Sequence, residues 1–257
     1  YTVKTAKGLA WIAMVTNSSK KKGDDEAGDN YPSAAGFKGC TVTLNNDIDL
    51  KEHYWTPIGS SLEEKNPTFQ GTFDGNHKIV KGLKVDETKT KGSGNWKKDH
   101  FVGLFGELRG YIDSSGGSIR NLGIQIAAEG VKGYSTKGDS HVGGLAGYNH
   151  SGTIENCFVI GEEGRSITAD KGNNEHLSNF YYCHVGGLVG RNDGTITNCY
   201  TTVNVSAKGG DNNRAGGIIG YNAGSVSNVY ATGKIEATGG KSNYCGGIIG
   251  EYNSGTV

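Results

Sequence analysis

One motif recurs along this chain. His141-Val-Gly-Gly-Leu-Ala-Gly147 returns as His184-Val-Gly-Gly-Leu-Val-Gly190, Arg214-Ala-Gly-Gly-Ile-Ile-Gly220 and Tyr244-Cys-Gly-Gly-Ile-Ile-Gly250. A looser copy precedes them at His100-Phe-Val-Gly-Leu-Phe-Gly106. The second glycines Gly103, Gly144, Gly187, Gly217 and Gly247 stand 41, 43, 30 and 30 residues apart. Self-similarity at such a period marks units that stack on their neighbours, because no single unit can bury its own apolar face. A second motif follows the first in each unit: Gly117-Ser-Ile-Arg-Asn-Leu122, Gly152-Thr-Ile-Glu-Asn-Cys157, Gly194-Thr-Ile-Thr-Asn-Cys199 and Gly224-Ser-Val-Ser-Asn-Val229. One unit therefore reads strand, tight turn (Tyr-Asn-x-Gly or Arg-Asn-Asp-Gly), strand and variable connection, a coil of about 30 residues.

Composition agrees with a chain made of short strands and turns. Glycine supplies 44 of 257 residues, far above the ~7% average. Proline is only 3, with no glycine at every third position, which excludes collagen. Stacked coils place equivalent residues about 4.8 Å apart, so like residues should form columns. Leu104, Leu145, Leu188, Ile218 and Ile248 make one column. Leu122, Cys157, Cys199 and Val229 make a second, with Ile124, Val159, Thr201 and Ala231 two residues later on the same face. Asn121, Asn156, Asn198 and Asn228 should form an amide ladder at a bend.

Upstream, Thr41-Val-Thr-Leu44 and Thr68-Phe-Gln-Gly-Thr-Phe73 alternate like strands, Asp74-Gly75 reads as a turn, and Val80 to Val85 follows the Ile119-to-Ile124 pattern. Residues 5–16 differ: Leu9, Ile12, Ala13 and Val15 or Thr16 lie on one helical stripe behind a Thr5 N-cap. A short helix there would cover an open end of the stack. The expected organisation is residues 1–100 as cap and first coils, continuous with repeats over 101–257. The start and the halt at Ser254-Gly255-Thr256-Val257, inside a repeat, suggest a mature piece of a longer protein.

The pattern GGLxGxNxGxIxNCYxxG, clearest at 186–203 and 216–233, resembles the bacterial GLUG repeat. Asp47-Ile-Asp-Leu50, Trp55-Thr-Pro-Ile-Gly59, Phe73-Asp-Gly75 and Val102-Gly-Leu-Phe-Gly106 look like the segment that precedes such repeats. The resemblance implies an all-β, right-handed parallel β-helix, here with the short N-terminal capping helix. It implies secreted or cell-surface bacterial proteins, including adhesins and non-catalytic parts of immunoglobulin A-type metalloproteases. It carries no catalytic residue to transfer. The departures are the loose copy at 100–106 and the insertion at 162–183.

The chemistry that would contradict a scaffold is sparse. Lys+Arg and Asp+Glu are both 26, so the basic excess of a nucleic-acid binder is missing. No apolar run approaches the ~20 residues of a membrane span. None of the seven histidines stands in a His-Glu-x-x-His frame, and no Gly-Lys-Ser/Thr follows the glycine motifs. The rival reading is a carbohydrate-active enzyme, a polysaccharide lyase or hydrolase, which needs clustered carboxylates. Asp47, Asp49 and Asp74 are the nearest to that, and they read as turn and cap residues.

His100, His141 and His184 align by motif and read as a surface or edge ladder without a ligand; the alternative is a metal-binding or pH-sensing stack. Cys157 and Cys199 are expected to stay free thiols, and the run Lys20-Lys-Lys22 with Asp24-Asp-Glu26 to be a solvated loop. Phe158, Tyr200 and Tyr230 have outward parity and form an aromatic row, either a sheet-stabilising ladder or a binding face. The insertion carries Arg165, His176, Phe180, Tyr181 and Tyr182, and is expected near the connections at 207–213 and 237–243. Tyr181 or Tyr182 would anchor a ligand there, or the aromatics fold back to shield an edge. The expectation is a monomeric, non-catalytic adhesion or scaffold module binding a glycan or host surface protein, with no catalytic residue, metal or cofactor.

Overall fold

The computed structural model describes residues 1–17, 36–59, 68–87, 99–109, 116–135, 138–171 and 181–257. The charged run at 20–26, and His176 and Phe180 of the insertion, lie outside the described residues. The chain is a parallel β-solenoid. Among the described residues every strand pairing is parallel, in one twelve-stranded sheet and two five-stranded sheets. Each coil runs through all three sheets before the next coil repeats it one strand-spacing along.

The Gly-Gly motif makes the sharpest corner. Its strand before the corner (Ser140–Gly143, Tyr182–Gly186, Asn212–Gly216, Ser242–Gly246) lies in one five-stranded sheet. Its strand after the corner (Ala146–Asn149, Val189–Asn192, Ile219–Asn222, Ile249–Tyr252) lies in the other. The fold here is too tight for a side chain: a Cβ at Gly186 would sit 2.0 Å from the Val189 carbonyl oxygen. Between the two strands the apolar residue points inward, and Leu104, Leu145, Leu188 and Ile218 are fully buried, as the spacing predicts. Leu145 N donates to Leu188 O at 3.0 Å, and Ile218 N to Ile248 O at 2.9 Å.

The second motif enters the large sheet, where Ile119, Ile154, Ile196 and Val226 stand in register. Asn121, Asn156, Asn198 and Asn228 all adopt positive φ, from 52° to 54°. Asparagine tolerates this left-handed conformation because its short side chain finds local hydrogen bonds. Asn156 Nδ2 donates to Asn121 Oδ1 at 3.3 Å, and Asn228 Nδ2 to Asn198 Oδ1 at 3.1 Å. The bend returns Leu122, Cys157 and Cys199 to the core, and the strand continues with Ile124, Val159 and Thr201. Thr201 is the polar member of that column, and its buried hydroxyl donates to Gly217 O at 2.6 Å. All five cysteines are free thiols.

Two departures from the sequence reading change the layout. Residues Ser166–Lys171 of the insertion are a strand, paired with 131–135 on one side and Asn204–Lys208 on the other, with Ile167 and Ala169 buried. They complete the coil rather than project from it. At the first copy, Val102 pairs with Val142 while Phe105 pairs with Ala146. One glycine, Gly103, therefore occupies the corner that later copies fill with two, and the strand before it slips by one residue.

The helix Ala6–Asn17 buries Leu9, Ile12, Ala13, Val15 and Thr16, and the Thr5 hydroxyl caps it by accepting Gly8 N at 3.2 Å. Its last residue, Asn17, ties it to the first coil through Pro57 O and Gly59 N. The helix packs into the same continuous core as the coils.

Candidate functional site

The three carboxylates on which the enzyme reading rests, Asp47, Asp49 and Asp74, are tied to turn backbone or to a neighbouring cation. Asp47 accepts from Ile79 N at 3.0 Å and pairs with Lys81 at 2.9 Å, and these hold it below the usual carboxylate range. Asp49 accepts from Lys51 N at 2.7 Å, beside two residues of positive φ, Lys51 and Glu52. Burial acts to raise Asp74, but bonds from Asn76 N, Asn121 Nδ2 and Arg120 outweigh it and leave the carboxyl lowered. Each is turn or ladder chemistry, with no pair left facing a common substrate position.

The aromatic row forms as its register requires. The Phe158 and Tyr200 rings lie 5.0 Å apart at 12°, and Tyr200 and Tyr230 lie 4.9 Å apart at 0°. Stacked this way, the rings cover one another's faces along the axis and present their edges outward. Phe158 in turn lies over Gly123, where an added Cβ would fall 2.2 Å from the Phe158 ring. A flat sugar would need an open ring face, and both faces of the Tyr200 ring are covered by its neighbours.

The histidines are arranged otherwise than by motif alignment. His100 pairs with Ser140, and Phe101 takes the rung beneath His141, the rings 5.3 Å apart and stacked. The column reads Phe101, His141, His184, Arg214, Tyr244. Its two histidines are buried rather than superficial: His141 is 1% exposed and His184 3%. The cover comes from the neighbouring column on the strand after the corner, Glu107, Tyr148, Arg191, Tyr221 and Glu251. The two columns meet in the concave corner and interlock. Tyr221 stacks on His184, Arg191 lies between the rings of Tyr148 and Tyr221, and Arg214 contacts Tyr182 and Tyr221.

Hydrogen bonding fixes the imidazole tautomers. Arg214 can only donate, so the His184 Nε2 facing it at 2.5 Å accepts, and His184 carries its proton on Nδ1. That proton goes to His141 Nδ1 at 2.9 Å, which places the His141 proton on Nε2. Burial, reinforced by Arg191 and Arg214, pushes His141 down to about 3. Burial, then His141 and the arginines, likewise lowers His184. Both rings are neutral. Asp99, Asp139 and His141 bring potential ligand atoms within 4.8 Å of one another. In this tautomer, however, His141 has no free lone pair for a metal, and the carboxylates cap backbone: Asp99 accepts from Asp139 N and Asp139 from Tyr182 N.

The end of the insertion does meet the later connections. Tyr181 N donates to Asp211 Oδ2 at 3.4 Å, and Asp211 also pairs with Lys241 at 3.1 Å. Tyr182 lies under the Arg214 guanidinium at 4.4 Å and beside His184. Both tyrosines are half-buried, so they are packed into this edge as well as displayed on it.

A polar group on the outer face was missed by sequence reasoning. Glu107 and Arg109, Tyr148 and His150, and Arg191 and Asp193 follow one another on successive rungs. Tyr148 Oη donates to Asp193 Oδ2 at 2.5 Å, and Arg191 holds Asp193 through Nε and Nη2. Desolvation raises Glu107 and lowers His150. The signal lay in the residue two places after each corner strand begins, but those positions differ in type from coil to coil.

Comparisons with known proteins bear on the repeats and the fold. The model of the GLUG motif matches residues 138–163, 181–206 and 211–236. No curated protein matches the chain. Among solved structures, a "putative immunoglobulin A1 protease" from Bacteroides ovatus superposes with a TM-score of 0.52 at 18% identity. That match covers 99% of this chain and 74% of that one, and it shows a shared fold. The chain is thus a parallel β-solenoid carrying three GLUG motifs.

Proposed function

We propose that this chain is a non-catalytic module of a secreted or cell-surface bacterial protein, a rigid scaffold that binds glycan or host protein through outer side chains and connections. The observation that carries the reading is the fate of its acidic groups. Asp47, Asp49 and Asp74 each bond turn backbone or an arginine, lysine or asparagine partner, as residues that shape a fold do. The interlocked columns supply stiffness, and the connections at 181–182, 207–213 and 237–243 supply variation on one side. A glycan and host-matrix binding array with the purified chain tests this, beside a polysaccharide degradation panel. Binding without turnover is expected. Turnover that disappears in Asp47→Asn, Asp49→Asn and Asp74→Asn would replace the scaffold with an enzyme.

A further inference from the structure

Unmade hydrogen bonds concentrate in one place. Among the described residues, five buried side-chain polar atoms have no hydrogen-bond partner: Glu107 Oε1 and Oε2, Arg109 Nε, His150 Nδ1 and Ser140 Oγ. Four belong to the group built around Tyr148. Arg109 Nε does lie 2.7 Å from Glu107 Oε1, but the pair is an ion contact without hydrogen-bond alignment. A buried carboxylate whose one cation is poorly aligned to it is costly, and natural proteins keep such groups where a water, an ion or a ligand completes them.

The surroundings narrow what would complete this one. Glu107 is 1% exposed and forms the floor, while Arg109 at 42%, Arg191 at 33% and Asp193 at 22% form an accessible rim. Glu107–Arg109 and Arg191–Asp193 run in opposite order on rungs separated by Tyr148 and His150. Their formal charges cancel, and His150 is held neutral by burial and the nearby arginines. A net charge of zero gives no pull on an anion or a cation. What the group offers instead is acceptor, donor, acceptor and donor in alternation around two aromatic rings, Tyr148 and His150, whose centroids are 5.3 Å apart.

We propose that Glu107, Arg109, Tyr148, His150, Arg191 and Asp193 form a subsite for a neutral, hydroxyl-rich ring, one monosaccharide unit of a glycan. This deepens the glycan-binding reading above and rests on it. Sugar hydroxyls both donate and accept, so neighbouring hydroxyls match a carboxylate beside a guanidinium, and the apolar ring face can lie against the half-buried His150 ring, the Tyr148 ring being covered by Arg191, His141 and Phe101. Arg109, half-exposed on a long stem, swings off the carboxylate, which then accepts from the ligand while the guanidinium donates to the next hydroxyl.

Saturation-transfer NMR on the whole chain, with galactose, glucose, mannose and N-acetylglucosamine at millimolar concentration, tests the subsite, with N-acetylneuraminate as the anionic comparison. At least one neutral sugar should receive saturation, and Glu107→Gln should weaken it about tenfold or more. Thr197→Ala, on a remote sheet face, should leave it unchanged. Raising the salt concentration should leave binding unchanged, because no net charge is screened. His150→Ala, at the half-buried rim, serves if Glu107→Gln lowers the melting temperature. Saturation by N-acetylneuraminate alone overturns the proposal, as does saturation that survives both variants. With no saturation at all the orphaned atoms are completed by water, and the subsite falls. A positive glycan array beside such a result would leave the wider function standing, and a blank array would remove both.

Discussion

At the scale of single residues, asparagine performs two different tasks that share one letter in the sequence. Asn156 and Asn198 sit at positive φ and turn the chain, which the spacing of the second motif made legible. Asn149, Asn192 and Asn222 are fully buried, bonded amide to amide at 2.8 Å, and each also donates to a glycine carbonyl of its own turn. That ladder reads in the sequence as turn residues, because a turn and a buried rung select the same side chain. The histidine column was legible from His141 onward, but His100 was placed in it wrongly, because motif alignment cannot count the single glycine at the first corner, and its burial was not foreseen. Its consequence is a dependence on acid. In the unfolded chain His141 titrates near 6.5, while in the fold it stays neutral down to about 3. Between those values the unfolded state binds the extra proton, so stability falls as pH falls. For His141 alone the loss is about 2 kcal/mol between pH 7 and pH 5, with His184 adding in the same direction. His100 works against this: despite burial, its bond to Glu87 raises it. Urea midpoints at the two pH values should therefore decline toward acid in the wild type, and less in His141→Phe, since Phe101 already fills this column one rung earlier. A wild-type midpoint that is flat or rises toward pH 5 would contradict the buried neutral pair.

At the scale of elements, the strands announced by repeated motifs were legible and the unrepeated ones were not. The corner strands, the asparagine bend and the capping helix each carry a local pattern: a glycine pair, an alternation, or a stripe behind a threonine cap. Ser166–Lys171 carries Ile167 and Ala169 in alternation, but over only six residues, without the Gly-Gly motif, inside a segment longer than its counterparts. Its identity is decided by partners far away in sequence, Val131 and Val205, which no local window contains. The same blindness covers the polar group at Glu107, where Tyr148 meets Arg191 and Asp193 only after the coils have stacked. If the segment is a coil-completing strand, truncating its inward side chain must open a cavity between two neighbours. Ile167→Ala should cost about 2–4 kcal/mol of stability, read from a denaturant midpoint. A loop residue would lose a few tenths, so a shift that small would return the segment to the status of an insertion.

At the scale of the whole stack, the coils at the two ends of residues 1–257 are covered differently. The helix Ala6–Asn17 adds its apolar stripe to the core at the first coil, where Val42, Leu44 and Ile58 are buried. In the last coil the same column positions are only partly covered: Ile235, Ile248 and Ile249 pack against the core from one side, and Tyr230, Tyr244 and Tyr252 are exposed by 42–55%. In a stack where each coil contacts only its neighbours, stability is close to a sum of coil and interface terms, and a coil with one interface opens more easily than a coil with two. In an isolated polypeptide of residues 1–257, opening should then start at residues 235–257 and advance coil by coil, and the middle coils, 140–160 and 182–201, should open last. Native-state hydrogen exchange resolves this directly. The amides of Ile219, donating to Ile248 O at 3.0 Å, should exchange faster than those of Val189, donating to Ile218 O at 3.0 Å, although the two bonds are equivalent in geometry. The difference between them is the number of coils that must come apart to expose each one. Uniform exchange across both would mean that the solenoid opens as a single cooperative unit, with its interfaces coupled beyond nearest neighbours.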